Sequence, residues 1–172
     1  ANTAAVQAEP GLHDAVVIGF ARREQGLLVA PGNPLGLSGI ASAAEQRARF
    51  ARRQKGAGAQ LLLESLIARE GVPAPSLTLA EGICATGQDL ALAIRTGRAD
   101  CGIASRAVAG AFGLEFLPLV WEHVDLAMRR RSYFEPATQR LLAWMRGPAM
   151  AARARELGGY DLSQSGAVRL NR

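Results

Sequence analysis

Hydrophobic and polar positions alternate along this chain in short blocks, and each block carries the period of one type of element. Ala1 to Ala8 has helical composition and stops at Pro10-Gly11. Two apolar runs, Ala15 to Phe20 and Gly26 to Ala30, read as strands, with polar Arg22-Arg23-Glu24-Gln25 between them. They form either a hairpin or one bent strand. Pro31-Gly32-Asn33-Pro34 is a turn, and Ser38 is placed to cap a helix running to Ala48. Arg49 to Arg52 makes a short strand. Leu61 to Ala68 then carries an apolar helical stripe, ending at Gly71 with Pro73 and Pro75 behind it.

The second half repeats the alternation. Leu77 to Leu79 is strand-like, and Gln88 to Thr96 is a helix with Leu90 and Ile94 on one face. Cys101 to Ala104 is a buried strand, after which Ser105 can cap a helix from Arg106 to Phe112. Glu115 to Val120 and His123 to Met128 read as two further strands. Tyr133 to Met145 and Ala149 to Leu157 read as closing helices, and Gly158 to Arg172 as a polar tail. Strands separated by helices of this length predict an α/β sheet with helices on both faces. In such sheets ligands bind beyond the carboxyl ends of the strands, where helix N-termini collect.

Three turns have the chemistry for that position: Arg52 to Gln60, Thr86 to Asp89, and Ala104-Ser105. The first stands out. Gly56 and Gly58 lack the Cβ that would keep an anion from the backbone, and Lys55, the sole lysine, precedes them. The helix that follows offers unpaired N–H groups and the positive end of its dipole. An ordinary strand-to-helix turn with solvated cations fits the same residues. For Thr86 and Ser105, plain N-capping is the competing role.

Composition narrows the field only modestly. The 172 residues are 49% hydrophobic and 5% aromatic, enough for an aliphatic core of one domain or two small lobes. The formal charge of +5 comes almost wholly from arginines scattered from Arg22 to Arg172, without the interleaved aromatics of a nucleic-acid surface. Cys84 and Cys101 belong to no C-x-x-C motif, and His13 and His123 have no ligand-like spacing, so no metal site and no cofactor is expected. No run reaches the roughly 18 apolar residues of a membrane span. Nucleophile-elbow, Walker-type and zinc-protease motifs are missing, so no catalytic residues are assigned and the protein is not expected to be an enzyme.

The run Arg23-Glu-Gln-Gly-Leu-Leu-Val-Ala-Pro-Gly-Asn-Pro34 resembles the start of the second lobe of type II periplasmic-binding-protein-like domains. More narrowly, it is similar to the molybdate-binding-like family fused to helix-turn-helix regulators or to molybdopterin-biosynthesis proteins. The resemblance continues through Arg52 to Gly58, Ala93 to Gly102, Leu114 to Leu119 and Gly159 to Asp161, covering roughly Val16 to Asp161. It implies a mixed sheet flanked by helices in one ligand-binding domain, with lobe two at about 32–120 and a remnant of lobe one at about 1–31 and 121–172. It further implies a clamp closing on a small oxyanion, molybdate or tungstate first, with sulfate and phosphate as alternatives. The ligand residues it implies are Arg53, Gln54, Lys55, Gly56, Ala57, Gly58, Ala59 and Gln60, with Thr86 and Ser105 from the neighbouring turns. The expected function is effector sensing in a bacterial transcription regulator, in the cytoplasm, with DNA reached only through a region outside this chain. A periplasmic solute receptor of an ABC transporter and a molybdenum-cofactor biosynthesis module are the alternatives. The resemblance begins near the crossover strand, so the chain is expected to lack part of lobe one. An exposed sheet edge would follow, for which a homodimer is one cover.

Overall fold

The computed structural model describes residues 2–171. Two compact units are present, Glu24–Val120 and a second made of Ala1–Arg23 with Trp121–Arg172. Two long strands, β1 (Ala15–Val29) and β4 (Glu115–Arg129), begin in one unit and end in the other.

The Glu24–Val120 unit is a mixed sheet in the order β2-β3-β1-β4, where β2 is Phe50–Ala51 and β3 is Cys101–Ser105. β2 runs parallel to β3, with Phe50 opposite Cys101, and β1 runs antiparallel to β3, with Gln25 opposite Ser105. The two-residue period of the strands divides the core between the two faces. Leu27, Val29, Phe50, Cys101 and Ile103 pack with α2 (Ile40–Glu45) and α3 (Gly58–Glu70). Leu28, Ala51 and Ala104 pack on the other face with α4 (Gly87–Arg95) and α5 (Arg106–Phe112). A Cβ on Gly102 would already lie 3.0 Å from Leu90, so helix and strand meet closely there. Helices cover both faces, as the alternation predicts.

In the other unit, β5 (Tyr160–Asp161) and β6 (Val168–Asn171) pair antiparallel with the first half of β1. Val16, Ile18, Leu142 and Met145 form its core with Phe20, Leu126, Met128 and Tyr133. Its helices are α1 (Asn2–Ala8), α6 (Arg130–Tyr133), α7 (Pro136–Met145) and α8 (Pro148–Leu157). Asp125 is paired with Arg169 at 2.8 Å, and Arg23 with Glu122.

Several elements differ from their sequence reading, each for a local reason. The runs at 15–20 and 26–30 are one strand, because Arg22, Arg23 and Gln25 all find strand partners. Those at 115–120 and 123–128 are likewise continuous. The tail after Gly158 is not a tail, since β5 and β6 are ladder strands. Leu77 to Leu79 makes only a bridge from Leu79 to Phe50 after a 3-10 turn at Ala74–Ser76. The helix expected from Ser38 starts at Ile40, and Ser42 Oγ accepts from the N–H groups of Ser38 and Gly39. Pro136 divides the helix expected over 133–145 by holding Glu135 in an extended conformation. Among the described residues no helix is long and apolar enough to cross a membrane.

Candidate functional site

β2 and β3 are parallel and each is followed directly by a helix, so the N-termini of α3 and α5 lie at the same end of the sheet. Residues 78–84 run parallel beside β2 without forming a regular strand. Phe50 N–H donates to Thr78, Ala80 N–H to Phe50, and Cys84 N–H to Arg52. This segment leads into α4, so a third helix N-terminus joins the other two.

Arg53 joins two of these turns. Its Nε donates to the Cys84 carbonyl at 3.0 Å and its Nη2 to the Ala85 carbonyl at 2.7 Å. The side chain thereby ties two loops together through their carbonyls. Lys55 is exposed, as is Gln54.

The N-terminus of α3 is open. Ala57 occupies the cap position without a side-chain cap, and the first turn carries no acidic residue. Within the turn, Ala57 N–H donates to Gln54 at 3.1 Å and Gln60 N–H to Ala57 at 2.9 Å. Those two donors are used internally. The N–H groups of Gly56, Gly58 and Ala59 have no partner among the described residues. Gly56 has φ +86°, a conformation glycine adopts without strain, and open space surrounds the Cβ positions of both Gly56 and Gly58. Two buried polar atoms nearby, Arg52 Nε and Gln60 Oε1, also lack a hydrogen-bond partner.

α4 differs. Thr86 Oγ1 accepts from Asp89 N–H at 3.0 Å and donates to Asp89 Oδ2 at 2.8 Å, while Thr86 N–H donates to the same carboxylate. This reciprocal capping box occupies the Thr86 hydroxyl and puts a negative charge in the first turn. Ser105 caps α5 by position only, since its hydroxyl makes no cap bond, and it is half-buried. The predicted site residues are thus gathered on one end of one unit, and they differ in what they have free.

Sequence reasoning passed over Glu24, Arg106 and Phe116, which stand beside Ser105. Glu24 is 9% exposed, and Arg106 Nε donates to its Oε2 at 2.6 Å. The Arg106 guanidinium lies 4.3 Å from the centre of the Phe116 ring, and hydrogen bonding to Glu24 raises its pKa further. The polar run Arg22 to Gln25 inside an otherwise apolar strand was the available signal. Among the described residues no cluster of three His, Cys, Asp or Glu is placed to hold a metal.

Comparison with known proteins accords with this architecture. The sequence model of the PBP superfamily domain matches residues 1–146. The uncharacterized protein YvgK of Bacillus subtilis (strain 168) is 26% identical over 152 residues, 88% of this chain and 49% of its own length. The chain therefore spans about half the length of the curated relative it matches. The regulatory domain of Synechocystis PCC6803 CcmR, solved in complex with 2-PG, superposes with a TM-score of 0.64 at 19% identity, over 80% of this chain and 68% of its own. L-phospholactate-bound PEB3 of Campylobacter jejuni superposes with a TM-score of 0.61 at 11% identity, over 91% of this chain and 74% of its own.

Proposed function

Starting from a chain that belongs to the PBP superfamily domain family, we propose that it binds a small anionic ligand through the turn between β2 and α3. Binding of a small ligand is the property of the family. The anionic character is our own reading, and one observation carries it. Of the two longer helices that start at this end of the sheet, α4 is closed by its own carboxylate, whereas α3 presents the free N–H groups of Gly58 and Ala59 with nothing above them. A 13-residue helix also has the length to develop its full dipole. Gly56 N–H and the exposed Lys55 add a donor and a positive charge. A tetrahedral oxyanion, with acceptors on every side, suits such a cradle of backbone donors.

The biological role we propose is effector sensing in a regulator, supported at the level of fold by the CcmR regulatory domain. No catalytic step is assigned, and the ligand is released unchanged. Thermal unfolding with molybdate, tungstate, sulfate and inorganic phosphate tests the reading. A ligand at a hundredfold excess over Kd adds about 2.7 kcal/mol to the folded state. At least one of the four anions is expected to raise Tm. Four flat titrations would contradict an inorganic oxyanion as the ligand.

A further inference from the structure

Building on that reading, we propose that the natural ligand is a small organic molecule with two anionic groups, the second of which is held by Arg106. The Arg106 side chain is oriented before any ligand arrives. Its Nε is fixed on the buried Glu24, and its guanidinium carbon lies over the Phe116 ring, 4.3 Å from the centre. The ring itself is set by a close approach, because a Cβ on Gly26 would collide with Phe116 and with the Leu117 carbonyl. Glu24 requires a countercharge at its depth, and a single Nε–H bond supplies it. What the ion pair leaves over is the outer edge of the guanidinium. Both terminal amino groups lack a partner among the described residues, and the side chain is 40% exposed. That edge presents parallel N–H donors of the kind that match two oxygens of a carboxylate or phosphate. Ser105, immediately before it, adds a hydroxyl not spent on capping.

The topology sets the size of the ligand. The α3 turn follows β2, whereas Arg106 leaves the end of β3 and reaches across β1 to Glu24. β2 and β1 flank β3, neighbouring strands lie about 4.8 Å apart, and α3 and α5 pack on opposite faces of the sheet, so the two donor sets are on the order of 10 Å or more from one another. One tetrahedral oxyanion cannot touch both. A short chain with an anionic group at each end can. A phosphorylated carboxylic acid and a dicarboxylic acid share this chemistry.

Calorimetry on the whole chain with L-phospholactate, inorganic phosphate, succinate and L-lactate tests the proposal. In the wild type, L-phospholactate or succinate is expected to bind at least about tenfold more tightly than inorganic phosphate or L-lactate, the worth of one added charge-assisted contact. A win for L-phospholactate would show that one of the two ends prefers phosphate to carboxylate. Arg106→Lys keeps a positive charge beside Glu24 but loses the fork, and should bring that preference within about twofold while phosphate binding is unchanged. Phe116→Leu, which removes the stacking surface, should do the same in part. Equal affinity for the single and double anions in the wild type overturns the proposal. So does a preference that survives both substitutions, which would make Arg106 purely a partner for Glu24. If none of the probes and none of the four inorganic anions binds, the anion-binding reading itself fails, and this inference with it.

Discussion

The guanidinium of Arg53 donates to the carbonyl of Ala85 at 2.7 Å, fastening the turn before α3 to the segment before α4. A second bond, from Nε to Cys84, and the Cys84 N–H to Arg52 carbonyl bond complete the seam. Arginine at this position therefore acts on the shape of the site by tying two of its turns together.

Replacing Arg53 with Met removes both side-chain bonds while keeping the aliphatic stem. The expected loss is about 1–2 kcal/mol in urea unfolding, the worth of charge-assisted hydrogen bonds on a half-buried group. Hydrogen exchange at Cys84 should accelerate more than exchange in β3. Unchanged exchange there would show that the seam holds without Arg53.

Gly26 tests the packing that sets Phe116. Alanine at this position puts a methyl group into the Phe116 ring and the Leu117 carbonyl, so overpacking of about 1–3 kcal/mol is expected. Gly110 is a control, since a Cβ there meets nothing and alanine is the better helix former. Urea titrations of Gly26→Ala and Gly110→Ala should move in opposite directions.

Acid should weaken the Glu24–Val120 unit through Asp100. Its carboxylate accepts from the Arg49 backbone N–H at 2.7 Å and from both Nε and Nη2 of the Arg49 side chain. The hydrogen bond from the Arg49 side chain is the main reason its pKa lies below the usual carboxylate value. A depressed folded-state pKa favours the ionised form, so this stabilisation is complete above the unfolded-chain pKa of about 3.9 and is lost as pH falls through the folded value. The Tm gap between wild type and Asp100→Asn should be widest near neutral pH and should close as pH falls below the unfolded-chain value of about 3.9. A gap that stays constant with pH would remove Asp100 from the account.

The two cysteines should separate cleanly in alkylation. Burial pushes the Cys101 thiol up to about 12, and the half-buried Cys84 thiol is raised by burial as well. Thiolate is the reactive form, so Cys84 should label slowly at mildly alkaline pH and Cys101 only on unfolding. Mass spectrometry of labelled peptides distinguishes them.

The parts of the fold that were legible in the sequence were those with a strong local signal. Gly71 and Gly113 stop α3 and α5 in left-handed conformations, as glycine at those positions predicts. Apolar alternation located β1, β3 and β4. What remained hidden depended on partners distant in sequence. Glu24 is polar and strand-breaking by local criteria, yet it is buried because Arg106, 82 residues later, reaches it. Residues 160–161 and 168–171 look polar and loop-like, and become strands because β1 offers them an edge. At the candidate site the turn itself was readable from Gly56 and Gly58. The division of labour was not. Which N–H groups are free, and that Thr86 is closed by Asp89 while Arg53 fastens two loops through their carbonyls, follows only from the assembled loops.

The two glycines of the turn between β2 and α3 allow the most direct test of the whole account. Gly56 requires its positive φ, so Gly56→Ala should cost about 1–2 kcal/mol whether or not a ligand binds. Gly58 has no such requirement, and a Cβ there meets no protein atom. Gly58→Val should therefore leave the unliganded protein within about 1 kcal/mol of wild type. The measurement is the Tm shift produced by the best-binding anion in wild type and in Gly58→Val. The account predicts a clear shift in the wild type and none in the variant, because the valine side chain stands where the anion meets the Gly58 and Ala59 N–H groups. An undiminished shift in Gly58→Val would contradict it and place the ligand elsewhere.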